Sequence, residues 1–127
     1  MQLTLGQVQD RLFAVHQDMT ASQRALRIAR DAEVEAAASL RVARARAFLD
    51  AECPRPKRGE NGVTVAERDT WVDQRTHAEW LAHAVAEATR KAAEDALRVA
   101  RDQGSVVQSL AGLMKAEMQL TGTGPGA

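Results

Sequence analysis

The chain has 127 residues, 45% hydrophobic and 27% charged, with 17 basic and 17 acidic side chains and a formal net charge of zero. This is the composition of a folded domain and excludes a disordered polyelectrolyte, and the length allows one domain. Cys53 is the lone cysteine, which excludes an intrachain disulfide scaffold and points to a reducing cytoplasm.

Thr4 and Gln7 have the spacing of a capping box, which opens a helix by satisfying its first amides. Behind them Leu5, Val8, Leu12, Val15 and Met19 recur at alternating threes and fours, one stripe of a short amphipathic helix. Asp18, Thr20 and Ser22 supply N-cap side chains, so the spacing predicts a bend near Thr20 and a second helix after it. That helix runs to about Glu52 along a seam of Leu26, Ala29, Glu33, Ala36, Leu40, Ala43 and Ala47, in which Glu33 is the one charged member. Pro54 and Pro56 stop it, and residues 53–63 form a basic, Pro- and Gly-containing loop.

Thr64 and Glu67 form a second capping box at the start of a long third helix. From Trp71 onward every seventh residue is apolar, namely Trp71, Ala78, Val85, Ala92, Val99, Val106 and Leu113, which predicts a coiled-coil seam. Its companions Ala82, Thr89, Ala96, Gln103 and Leu110 are smaller or polar. Gly104 either kinks this helix or is passed through. Beyond it the apolar face widens to Val106, Val107, Leu110, Leu113, Met114 and Met118, and residues 121–127 read as a disordered Gly-rich tail.

The expected fold is therefore all-α: a short N-terminal helix plus a long coiled-coil-like helical hairpin, one oligomerising domain over residues 1–120. At 1.5 Å per residue the two long helices span roughly 45 and 80 Å, against a radius of gyration of about 14 Å for a compact domain of this size. An Ala-based seam buries little apolar surface, so stability is expected to come from a homo-oligomer. Val106, Val107, Leu110, Leu113 and Met114 are its candidate contacts; the alternative is that they pack back on Leu5 to Met19 within one chain.

No membrane helix or signal peptide is predicted, because no apolar run approaches ~18 residues and the first residues lack a basic and an apolar region. His77 and His83 lie six residues apart on one helix and point away from each other, so they do not make a metal pair. Neither a phosphate-binding Gly loop nor a nucleophile with a base beside it is present, and the chain reads as non-enzymatic and without cofactor. Trp71 and Trp80 fit core or interface positions better than base-stacking platforms.

The charge is segregated although it sums to zero. Arg41, Arg44, Arg46, Arg55, Lys57 and Arg58 crowd the end of the second helix and the loop, while acids outnumber bases from Glu60 to Asp95. Arg27, Arg30, Arg41 and Arg44 fall within roughly a 100° arc beside the apolar seam, and Arg46 extends the patch round the helix. Guanidinium groups held there suit phosphate through paired donors. The competing reading is a solvated helix face, partly neutralised by Asp31, Glu35, Asp50 and Glu52 or by the acidic arm.

The order of these features, with "ARARAFLDA" closing the long basic helix and "GSVVQSLAGLMKAE" after Gly104, resembles the UvsY family of phage recombination mediators. Arg44-Ala-Arg46 stands where the family has Lys-Ala-Arg; its paired aromatics are reduced to Phe48, and its Lys-rich surface is Arg-rich here. The resemblance implies a ring-shaped homo-oligomer, a hexamer or heptamer, that binds single-stranded DNA. It further implies displacement of single-strand-binding protein and loading of a RecA-like recombinase in a bacterial host. Arg44 and Arg46 would be the carried-over DNA contacts, and the segment after Gly104 would hold the ring. The alternative is a phage scaffold or tail-associated coiled coil whose arginines make interchain ion pairs.

Overall fold

The computed structural model describes residues 3–59 and 62–121, so the expected tail beyond Thr121 lies outside the described residues. Among the described residues the chain is all-helical: α1 (Leu5–Leu49), α2 (Val65–Arg75) and α3 (His77–Leu120), with α1 packed against α3 in a hairpin. It divides into two compact units, one built from residues up to Arg27 and from Ala92 onward, the other from Ile28 to Lys91.

Both capping boxes form. Thr4 N–H donates to Gln7 Oε1 at 2.9 Å and Gln7 N–H to Thr4 Oγ1 at 3.2 Å, while Thr64 Oγ1 accepts from Glu67 N–H at 3.1 Å. The bend near Thr20 does not. The Thr20 hydroxyl donates to the His16 carbonyl at 3.0 Å, one turn back within the helix, so it does not cap a new one. The expected first and second helices are one helix, α1.

The long third helix is interrupted once, at a residue with no breaker character. Thr76 has φ −109° and ψ 17° and separates α2 from α3, although its N–H still reaches the Val72 carbonyl at 3.0 Å. Its buried hydroxyl donates to that same carbonyl at 2.8 Å, a back-bond that competes with the helical ladder and bends helices. Gly104, by contrast, is passed through without a break.

On α1 the seam lies where its apolar spacing puts it, with Val8, Leu26, Ala29 and Ala47 buried and Leu12, Val15, Met19, Ala36, Leu40 and Ala43 half-buried. On α2 and α3 it does not. The buried residues there, with the half-buried ones in line with them, are Val72, Thr76, Glu79, His83, Ala86 and Arg90 in one unit and Ala93, Leu97, Ala100, Gly104, Val107, Ala111, Met114 and Met118 in the other. This too is a heptad pattern, alternating fours and threes, but it sits roughly 130° round the helix from the predicted stripe. Val85, Val99, Val106 and Leu113 are between 52% and 68% exposed.

Two features of the α3 seam explain the choice. Glu33, the charged member of the α1 seam, is ion-paired with Arg90, both side chains about a quarter exposed or less; such a polar pair fixes register between facing helices. At Gly104 a Cβ would meet Val15 Cγ1 at 3.1 Å and Met19 S at 3.5 Å, so the glycine lets α1 approach closely. The stripe that is cleaner in hydrophobicity has neither a partner for Glu33 nor a gap for Val15.

Candidate nucleic-acid interface

The basic region lies within the unit from Ile28 to Lys91, around a small core of Ala47, Cys53 and Val72 with Phe48 and Trp71 packed on it. This core ties the end of α1, the loop and α2 together. Backbone hydrogen bonds join its described residues: Cys53 N–H donates to the Asp50 carbonyl at 3.1 Å, Lys57 N–H to Val63 at 3.2 Å and Gly62 N–H to Gly59 at 3.2 Å. A Cβ at Gly62 would lie 2.2 Å from the Lys57 carbonyl oxygen, and Gly59 has φ 134°, so both turns require glycine.

The six predicted bases divide into two groups. Arg44 donates to Asp73 Oδ1 at 2.7 Å and lies 5.8 Å from the Phe48 ring centre; Arg55 donates to the Phe48 carbonyl at 3.2 Å, satisfying one of the last carbonyls of α1. These two are engaged in holding the region together. Among the described residues Arg41, Arg46, Lys57 and Arg58 are exposed and make no ion pair, and Arg46 sits in the last turn of α1, where a cation suits the helix dipole.

Two arginines that the sequence reading passed over complete the arrangement. Arg68 lies 5.2 Å from the centre of the Phe48 ring, over which Arg44 also lies, and pairs with Asp69 at 3.3 Å. Arg75 lies 5.2 Å from the Trp71 ring and reaches Asp50 at 3.3 Å and Glu52 at 4.0 Å. Their spacing was a usable signal: Arg68, Trp71 and Arg75 are three and four apart and share a face of α2. Asp50 and Glu52 therefore answer Arg75 on α2, and Asp73 of the acidic arm answers Arg44.

Trp71 belongs to the core, but Trp80 is exposed and stacked on His77, with ring centres 5.8 Å apart and planes 19° from parallel. His77 and Asp73 line a shallow groove with Thr70 and Gln74. An exposed π-surface thus lies in the same unit as the basic helix end. The Arg44–Asp73 pair is itself exposed, and exposed pairs are worth about 0–1 kcal/mol, so a phosphate can take the carboxylate's place on Arg44.

The predicted oligomer contacts also divide. Val107 is buried and lies in the intrachain seam with half-buried Met114, so these two pack back on α1; Leu110 is half-buried beside that seam, while Val106 and Leu113 face water. No helix among the described residues is long and apolar enough to cross a membrane. No family model, curated protein or solved structure matches the chain, so the resemblance to the UvsY family rests on the residues quoted for it.

Proposed function

We propose that this chain is a non-catalytic, self-assembling helical hairpin that binds single-stranded DNA in the bacterial cytoplasm as a recombination mediator. In this reading it helps load a RecA-like recombinase in place of single-strand-binding protein, from a ring of copies. The observation that carries the DNA contact is the set of exposed bases without ion pairs among the described residues, Arg41, Arg46, Lys57 and Arg58, at an end where arginines pack on Phe48 and Trp71. Phosphate contacts dominate such an interface, with the Trp80–His77 stack available to a base, so affinity is sequence-tolerant and salt-dependent.

Fluorescence anisotropy with a labelled single-stranded oligonucleotide tests it. Binding is expected to weaken steeply with salt, and Arg41→Ala with Arg46→Ala and Arg58→Ala is expected to reduce affinity more than tenfold and lower the log–log salt slope by about 2. Absence of binding at low salt, or binding indifferent to the triple change, would refute the role. The competing reading is a phage scaffold or tail-associated assembly protein in which the exposed arginines make interchain ion pairs, as Arg44, Arg75 and Arg90 make them within the chain. It predicts assembly without salt-sensitive DNA affinity.

A further inference from the structure

We propose that the groove at the α2–α3 junction seats one nucleobase of a bound single strand, stacked on His77 in line with Trp80, and that Asp73 accepts a hydrogen bond from its exocyclic amino group. The inference rests on the single-stranded DNA reading above and adds a preference to it: nucleobases that carry an amino group are favoured over thymine.

Spacing builds the platform. Thr70, Asp73 or Gln74, His77 and Trp80 follow one another by three or four residues, which puts them on one face. The break at Thr76 does not disperse them, because Thr76 N–H still donates to the Val72 carbonyl and Trp80 N–H to the Thr76 carbonyl, both at 3.0 Å. The His77 and Trp80 rings are stacked 5.8 Å apart, His77 is exposed and Trp80 is 53% exposed, an apolar surface that no neighbour covers. His77 lines the groove and Trp80 stands one turn beyond it, so the groove opens on the side of the imidazole away from the indole. A planar ring placed there extends the stack by one layer.

The rest of the lining says what kind of ring. Thr70, Asp73 and Gln74 are all polar, whereas the centre of a protein contact is apolar. A stacking face with hydrogen-bonding groups at its edge is how an unpaired nucleobase is held. The Gln74 amide both donates and accepts, so it serves either pyrimidine. Asp73 only accepts: it suits the amino group on C4 of cytosine and repels the oxygen that thymine carries at the same position.

The groove is also joined to the basic helix. Asp73 is the residue that Arg44 pairs with, at 2.7 Å, and both side chains keep solvent. When a phosphate takes Arg44, both Asp73 oxygens are released to the nucleobase, so one exchange serves the two halves of a nucleotide. The pairs Arg44–Asp73 and Glu33–Arg90 run in opposite senses along the two arms, so the step back from Arg44 to Arg41 on α1 follows the step from Asp73 to His77. Arg41, exposed and one turn from Arg44, therefore continues the phosphate track alongside the groove. All of these residues belong to the unit from Ile28 to Lys91.

Anisotropy with labelled oligodeoxycytidine and oligodeoxythymidine of equal length, at low salt and with the full chain, tests this alongside intrinsic tryptophan fluorescence. The wild type is expected to bind the cytidine strand about fivefold more tightly and to lose tryptophan emission on binding. His77→Ala should weaken both strands about tenfold, and Trp80→Ala should abolish the quenching, because Trp71 is packed on the core beneath Arg75. Both residues are exposed, so circular dichroism should be unchanged in each variant. Asp73→Ala should bring the two strands within about twofold of each other without weakening the thymidine strand, because it leaves Arg44 to the phosphate. Failure to bind either strand would end the DNA reading and this assignment with it. Binding that is indifferent to His77→Ala, or that leaves tryptophan emission unchanged, would overturn the platform and leave the phosphate contacts standing, with the aromatic pair assigned to a protein contact. Quenching with equal affinity for the two strands, or a cytidine preference that survives Asp73→Ala, would overturn the part given to Asp73.

Discussion

The two faces of α3 invert the usual expectation about which side of a helix is buried. The face against α1 carries Glu79, His83, Arg90 and Gly104 between its aliphatic residues, whereas the face in water carries Val85, Val99, Val106 and Leu113. Hydrophobicity alone would have turned the helix the other way. The packed side instead matches α1 feature by feature, Arg90 to Glu33 and Gly104 to Val15 and Met19, and complementarity of this kind specifies one register. Among the described residues the apolar stripe makes no such specific match.

The largest effect that bears on this contrast is expected at Gly104. Gly104→Leu forces a branched side chain into a gap where even a Cβ sits 3.1 Å from Val15, and should destabilise the hairpin by about 3 kcal/mol, read as a lower urea midpoint. Gly104→Ala sharpens the comparison. The added methyl presses on the flexible ends of Val15 and Met19, while alanine gains about 1 kcal/mol in helix propensity, so its net change should stay within about 1 kcal/mol. A Leu variant as stable as the wild type would show that the close approach does not set the packed face.

Next in size is the Glu33–Arg90 pair. Arg90→Ala leaves a carboxylate in the seam without its cation and should cost about 1–2 kcal/mol in chemical denaturation, below the cost for fully buried pairs because both groups keep some solvent. Replacing both residues by Leu should restore or exceed wild-type stability, since the desolvation of two charges disappears. If the pair selects the register, the double variant should also show multiple amide resonances for seam residues such as Ala93 and Ala29. A single set of resonances would mean that Gly104 and the apolar contacts suffice.

The difference between the two long helices in legibility has the same origin. The α1 seam was readable from Val8 to Ala47 because its members are nearly all apolar and correctly spaced, and its exception, Glu33, marked where a cation was needed. On α3 the packed positions include an Arg, a Glu, a His and a Gly, while a cleaner repeat ran alongside them. Periodicity alone therefore selected the side that faces water. At the basic end, the opposition of a basic arm and an acidic arm was visible in the sequence. That Asp73 would answer Arg44 was not, because the two are 29 residues apart and meet through the loop's turns. The Arg68–Trp71–Arg75 face was present in the spacing but lay within what read as the acidic arm.

The smallest expected effect separates two causes of the one helix break. Thr76 is 2% exposed, and its hydroxyl and its N–H both reach the Val72 carbonyl. If the hydroxyl bends the chain, Thr76→Val, which keeps the branched shape and loses the hydroxyl, should move the 13Cα shifts of residues 75–77 toward helical values. If instead the packing of Val72 on Ala47 and Cys53 turns α2, Thr76→Val should leave those shifts unchanged. Thr76→Ala loses the same hydroxyl and some buried volume but gains helix propensity, and its stability should fall by no more than about 1 kcal/mol. We expect the hydroxyl to be the cause, because its bond to the Val72 carbonyl competes with the backbone donor that this carbonyl retains in either variant.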